Sequence, residues 1–163
     1  MLERQSRKPP KKKTMTKVDD IKKIREITGV SIEAVSKALE EADGKIGPAL
    51  EILKKRGAQV ARKIAGRETG EGLIFSYVHG NGKIGVLIKM LCETDFVARN
   101  HEFQELGHEL AMQVAAMNPA DVDELLAQRY VRDEDLTVDI LIKNYIGKLG
   151  ENIKVSEFCR FEI

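Results

Sequence analysis

Cys92-Glu93-Thr94-Asp95-Phe96-Val97-Ala98-Arg99-Asn100 lies between two patterns of different period. Before it, Ile84 to Leu91 is an apolar, β-branched run that reads as a strand. After it, Phe103, Leu106, Leu110, Val114 and Met117 recur at helical spacing, with Asn100 placed to cap the helix. The stretch is therefore a strand-to-helix corner, and such corners present side chains on a rigid scaffold. Phe96 is the unusual residue, a large apolar group beside Asp95. By chemistry alone a Phe in this place is more often tucked under the corner as core than displayed.

Working outward, Leu73 to Val78 is a second strand of β-branched and aromatic residues. His79-Gly80-Asn81-Gly82-Lys83 joins the two, with Asn81-Gly82 suited to a hairpin turn. Gly80, Gly82 and Gly85 match the spacing of a dinucleotide-binding fingerprint. That motif requires a helix after the glycines, and here a strand follows, so nucleotide binding is rejected. Asn118-Pro119 ends the helix after the corner. Val122, Leu125 and Leu126 suggest a short helix, and Tyr130 to Thr137 reads as irregular and charged. Val138, Leu141, Ile142, Tyr145, Ile146 and Leu149 predict another helix, closed by Gly150. Ile153 to Ile163 alternates in part, with Val155, Phe158, Phe161 and Ile163 among charged residues, and reads as a strand with one solvated face. The fold class is α+β, with a three-stranded antiparallel sheet and helices on one face. The other face calls for a second layer, for which another copy of the chain is one candidate.

Upstream of the corner the chain divides by composition. Residues 1–16 are basic, interrupted by Pro9-Pro10 and almost without apolar side chains, so they read as a disordered tail. Residues 17–57 predict a bundle of three helices. Val18, Ile21, Ile24 and Ile27 form the first stripe, and Gly29 is suited to its C-terminal cap. Ser31 caps a second helix facing inward with Val35, Ala38, Leu39 and Ala42. Ala49, Ile52 and Leu53 face inward from a third, which stops at Gly57. So small a bundle is marginal alone and suits docking. Residues 58–72 read as a short basic helix fraying into a glycine-rich linker, and 73–163 as the α+β core.

Composition narrows the function classes. The 163 residues are 42% hydrophobic and 33% charged, with a net charge of +1, which predicts no polyanion partner and no specific nucleic acid. No apolar run approaches the ~20 residues that span a membrane. Cys92 and Cys159 have no paired spacing, against a zinc site or disulfide framework and in favour of a reducing compartment. His101 and His108 lack the spacing of a helical metal motif. The chain offers no nucleophile with a base, no ligand cluster and no phosphate loop, so no enzyme, cofactor or metal is expected.

Several separated motifs resemble the translation elongation factor Ts family, in that family's order. They are Tyr77-x-His79 with Gly85-Val86-Leu87, Thr94-Asp95-Phe96-Val97-Ala98-Arg99-Asn100, Lys148-x-Gly150-Glu151-Asn152-Ile153, and Arg160-Phe161-Glu162. Residues 17–57 resemble the ubiquitin-associated-type bundle of the same family, through Arg25-Glu26-x-Thr28-Gly29 and Lys37-Ala38-Leu39. Where the family usually has a Gly-Met-Met-type loop, this chain reads Ser31-Ile32-Glu33.

The resemblance implies a cytoplasmic guanine-nucleotide exchange factor that binds elongation factor Tu in its GDP and nucleotide-free forms. It implies contacts through Thr94, Asp95, Phe96 and Val97, through His79, and through Arg25, Val30 and Ile32 on the bundle. Phe96 would enter between helices of the partner's nucleotide domain and disturb its magnesium and phosphate sites. Thr94 and Asp95 would hold the corner by side-chain bonds to backbone N–H groups. For short members it implies a homodimer in which two chains complete one core. Two other readings compete. An adaptor acting through its ubiquitin-associated-type bundle predicts binding by residues 18–57 alone, with Phe96 dispensable. An RNA-binding protein predicts steep salt dependence that disappears with residues 1–14.

Overall fold

A computed structural model describes residues 18–163, so the basic tail expected over residues 1–16 lies outside the described residues. In chain order the elements are α1 (Val18–Thr28), α2 (Ile32–Glu41), α3 (Ile46–Ile64), β1 (Glu71–His79), β2 (Ile84–Cys92), α4 (Asp95–Ala98), α5 (His101–Met117), α6 (Val122–Ala127), β3 (Arg129–Tyr130), β4 (Asp133–Thr137), α7 (Val138–Leu149) and β5 (Lys154–Glu162). Two compact units divide the chain, the first ending at Leu53 and the second spanning Lys54–Ile163.

The first unit is the expected helical bundle. Ile24 of α1, Val35, Ala38 and Leu39 of α2, and Ala49 and Leu53 of α3 share one buried cluster. Gly29 ends α1 at φ +61°, donating its N–H to the Arg25 carbonyl at 2.7 Å. Ser31 caps α2 by accepting from the Ala34 N–H at 3.2 Å. The α1 stripe is narrower than its spacing suggested: Ile24 is buried, but Val18 and Ile27 are exposed. A spacing of three falls roughly 60° short of a full turn at each step, so the ends of such a row turn away from the middle. α3 also passes straight through Gly57, to Ile64. This glycine serves helix packing instead of a cap: a Cβ on Gly147 of α7 would lie 2.7 Å from the Gly57 Cα. Beyond it Ala61 and Ile64 are buried in the core of the second unit, where the sequence suggested the start of a linker.

In the second unit the sheet runs β1-β2-β5, every pair antiparallel. Alternate residues of β2 (Val86, Ile88, Met90 and Cys92) are buried. α5 packs across β1 and β2 on this side, with Phe103, Leu106, Leu110 and Val114 inward. Phe75 of β1 meets Phe103 with ring centroids 5.9 Å apart. Its ring fills the space where a Cβ on Gly107 would stand, 2.2 Å away. The broken alternation of β5 comes from a register shift at Lys89/Met90, which sets Phe158 opposite Ile88 and Val155 opposite Met90. One extra residue on β5 thus brings both apolar side chains to the covered face. The opposite face carries exposed Ile74, Val78, Leu87 and Phe161, with Cys159 beside Leu87.

Two local expectations change. Residues 80–83 all belong to the hairpin loop, closed by a Gly82 N–H bond to the His79 carbonyl at 2.8 Å, so Asn81-Gly82 is not by itself the turn. Tyr130 to Thr137, expected to be irregular, falls instead within the β3–β4 pair. The buried Gln113 of α5 fixes it, donating to the Arg129 carbonyl at 3.0 Å and accepting from the Val131 N–H at 2.8 Å. No residue within that charged hairpin announces a partner so distant in sequence.

Candidate functional site

The corner after β2 displays Phe96. Thr94, extended at φ −129°, caps α4, and its Oγ1 accepts from the Val97 N–H at 3.4 Å. α4 is a single turn whose Val97 and Ala98 are buried. At 100° per residue, Phe96 then points roughly 150° away from the midpoint of the buried pair. It is 84% exposed, the outcome that chemistry alone disfavours. Asp95 flanks it and pairs with Arg99 at 3.0 Å, instead of bonding backbone N–H groups as Thr94 does. An apolar anchor beside a charge-paired carboxylate suits protein recognition, because aromatic anchors carry much interface energy.

The corner is gripped from a distant part of the chain. One oxygen of Glu151 accepts the N–H groups of Glu93 and Thr94, at 3.1 and 3.0 Å, and the other accepts the Thr94 hydroxyl at 2.6 Å. In return, the Glu93 carboxylate accepts the Asn152 N–H at 2.7 Å and lies 3.5 Å from Arg67. The buried Asn152 amide donates to the Ala65 and Arg67 carbonyls, at 3.1 and 2.8 Å. Segments 65–67, 93–94 and 151–152 are thereby tied together. Cys92, just inside the corner, donates its S–H to the Thr94 carbonyl at 3.2 Å. Burial, with the negative charge of Glu151 second, pushes its thiol up to about 11. The sequence marks Gly150-Glu151-Asn152-Ile153 as a motif, yet it assigns a structural role to Gly150 alone and none to Glu151 or Asn152.

The other named residues lie elsewhere. His79 is the last residue of β1 and pairs with Ile84, at the end of the hairpin opposite Cys92. Eight strand steps of ~3.3 Å separate the two ends, roughly 26 Å, so the structure does not bring His79 to Phe96 within one chain. The Tyr77 hydroxyl lies 3.0 Å from His79 Nδ1, and Tyr77 meets His108 edge-on at 5.7 Å. Arg25, Val30 and Ile32 belong to the first unit. Arg25 is exposed near the end of α1, Val30 is half-buried in the loop, and Ile32 is exposed at the start of α2.

Comparison with known proteins points one way. A family model described as Elongation factor TS matches residues 93–163, which include the corner and the segment that grips it. Elongation factor Ts of Thermotoga neapolitana is 43% identical over 189 aligned residues, covering 90% of this chain and 96% of that protein. The Thermosipho melanesiensis protein of the same name is 42% identical, covering 88% and 96%. That of Oleidesulfovibrio alaskensis is 38% identical, covering 88% and 95%. The 189 aligned positions exceed the 163 residues of this chain, so the first relative carries segments with no counterpart here.

Proposed function

The chain belongs to the elongation factor Ts family, and on that premise we propose that it is a guanine-nucleotide exchange factor for elongation factor Tu. It binds Tu carrying GDP, favours the nucleotide-free form and promotes GDP release by disturbing the magnesium and phosphate site. The observation that carries this reading is the exposure of Phe96 on a one-turn helix that is itself anchored. Phe96 enters between helices of the partner, and Thr94, Asp95 and Val97 shape the contact around it. The first unit, through exposed Ile32 with Arg25 and Val30, gives a second point of attachment, and His79 a third. No bond of the nucleotide is made or broken, so the role is not enzymatic. The factor acts in translation elongation, in the cytoplasm. Among the described residues no helix is long and apolar enough to cross a membrane.

The physics is linkage. A factor that binds nucleotide-free Tu more tightly than Tu·GDP is displaced by GDP in the same ratio. Each tenfold of that ratio corresponds to about 1.4 kcal/mol of coupling. Two chains pair through their open sheet faces, each supplying the layer that the other lacks. The exposed Ile74, Val78, Leu87 and Phe161 support that pairing. The division into a docking module and an α+β core belongs to the same proposal, with most of the linker expected over 58–72 counted to the core, since Ala61 and Ile64 are buried in it and β1 begins at Glu71.

Release of labelled GDP from Tu tests it. The wild type accelerates release, and Phe96→Ala, still folded, loses most of the acceleration. Failure of the wild type to accelerate release sinks the proposal and favours an adaptor acting through its bundle. Acceleration that survives Phe96→Ala keeps exchange and moves its mechanism away from the corner.

A further inference from the structure

We infer that Glu151 is a positioning residue: its carboxylate holds the turn that presents Phe96 in the orientation a nucleotide-binding partner must meet. The inference deepens the exchange reading and rests on it for the partner. A helix of one turn has almost no stability of its own, because nucleation costs more than one turn returns. The direction of Phe96 must therefore be imposed from outside α4. Val97 and Ala98 bury two residues of the turn. Its starting point, Glu93-Thr94, is set by the three bonds to Glu151. Bonds to an ionised acceptor are about twice as strong as neutral ones. Glu151 in turn follows Gly150, which closes α7 at φ +75°. α7 is fixed in the core by buried Val138, Ile142 and Ile146. The line of support runs from a packed helix through one carboxylate to the exposed aromatic.

The physical consequence is preorganisation. Without the carboxylate the turn samples other orientations, and apparent affinity falls by the fraction that remains competent. The concentration needed for half-maximal GDP release rises, while the rate at saturation is kept. Glu151 acts on Phe96 through the Glu93-Thr94 turn, so the coupling of the two residues is the discriminating signature.

The test has two arms. In the free protein, amide hydrogen exchange is followed in Glu151→Ala and Glu151→Gln. Glu151→Ala speeds exchange at Thr94 and Val97 by about tenfold or more and leaves Leu106 and Leu110 of α5 unchanged. Glu151→Gln, which keeps an acceptor for the two N–H groups, restores most of the protection. This arm needs no partner, so it decides the positioning role even if the exchange reading fails. In the second arm, affinity for nucleotide-free Tu is measured for Glu151→Ala, Phe96→Ala and the double variant. Glu151→Ala costs about tenfold in the wild-type background and less than about twofold when Phe96 is already Ala. Unchanged protection at Thr94 and Val97 overturns the inference, as does an equal cost in both backgrounds. A wild type that neither binds Tu nor releases GDP, with the protection loss still seen, overturns the exchange reading alone.

Discussion

The two faces of the β1-β2-β5 sheet are built from the same kind of residue and meet different fates. On the covered face Val86, Ile88, Met90 and Cys92 lie under α5 and are almost wholly removed from solvent. On the other face Ile74, Val78, Leu87 and Phe161 remain exposed, interrupted by the Lys89–Glu157 ion pair at 3.2 Å. A strand with one solvated face normally alternates apolar and polar residues, whereas a near-continuous apolar run marks a strand covered on both sides. β2 reads Ile84-Gly85-Val86-Leu87-Ile88-Lys89-Met90-Leu91-Cys92, which is the second pattern. The sequence of the strand thus has the pattern of a two-layer strand, and this chain covers one of its faces, which is the observation behind the proposed pairing.

Mutations on the two faces should have unequal effects. The largest effect belongs to the covered side. Ile88→Ala is expected to cost about 2–5 kcal/mol, read as a lower denaturant midpoint, because it leaves a cavity under α5. Gly107→Ala comes next, at about 1–3 kcal/mol, since the new methyl must displace the Phe75 ring. Leu87→Asp, on the open side, changes the stability of a single chain by less than about 0.5 kcal/mol. It removes the two-chain mass in light scattering at micromolar concentration, together with any rise of melting temperature with protein concentration. A loss of stability in Leu87→Asp equal to that of Ile88→Ala would show that the open face is core after all. A single-chain mass for the wild type would remove the second layer.

The mildest probe leaves the sequence intact. Cys159 on the open face should react with a thiol reagent in the native protein, while Cys92 on the covered face should not. With its thiol pushed up to about 11, Cys92 is ionised to about one part in a thousand at pH 8, and the thiolate is the reactive form. The unfolded thiol ionises near 9.0 and the folded one near 11, so its contribution is intact below pH 9 and is lost as pH rises through 11. Pairing of two chains over the open face slows Cys159 labelling as concentration rises, and Leu87→Asp abolishes that slowing.

Much of this was legible in the chain. The strand, corner and helix around Thr94-Asp95-Phe96-Val97 follow from a change of hydrophobic period, and the caps at Asn100 and Gly150 from local chemistry. Spacing misled where it ignored helix geometry, as at Val18 and Ile27, and where a glycine did another task, as at Gly57. The β3–β4 pair was invisible because its organiser, Gln113, lies on another element.

Local sequence was enough for most of the elements, the class of fold and the corner, though not for the β3–β4 pair or the end of α3, because those it settled depend on neighbours within a turn or two of chain. Tertiary structure alone decided that Phe96 faces solvent, that Glu151 grips the corner from 57 residues away, and which side of β2 is covered. The reason is physical: burial and long-range hydrogen bonds depend on which surfaces meet in space, and a one-dimensional pattern fixes only which surfaces exist.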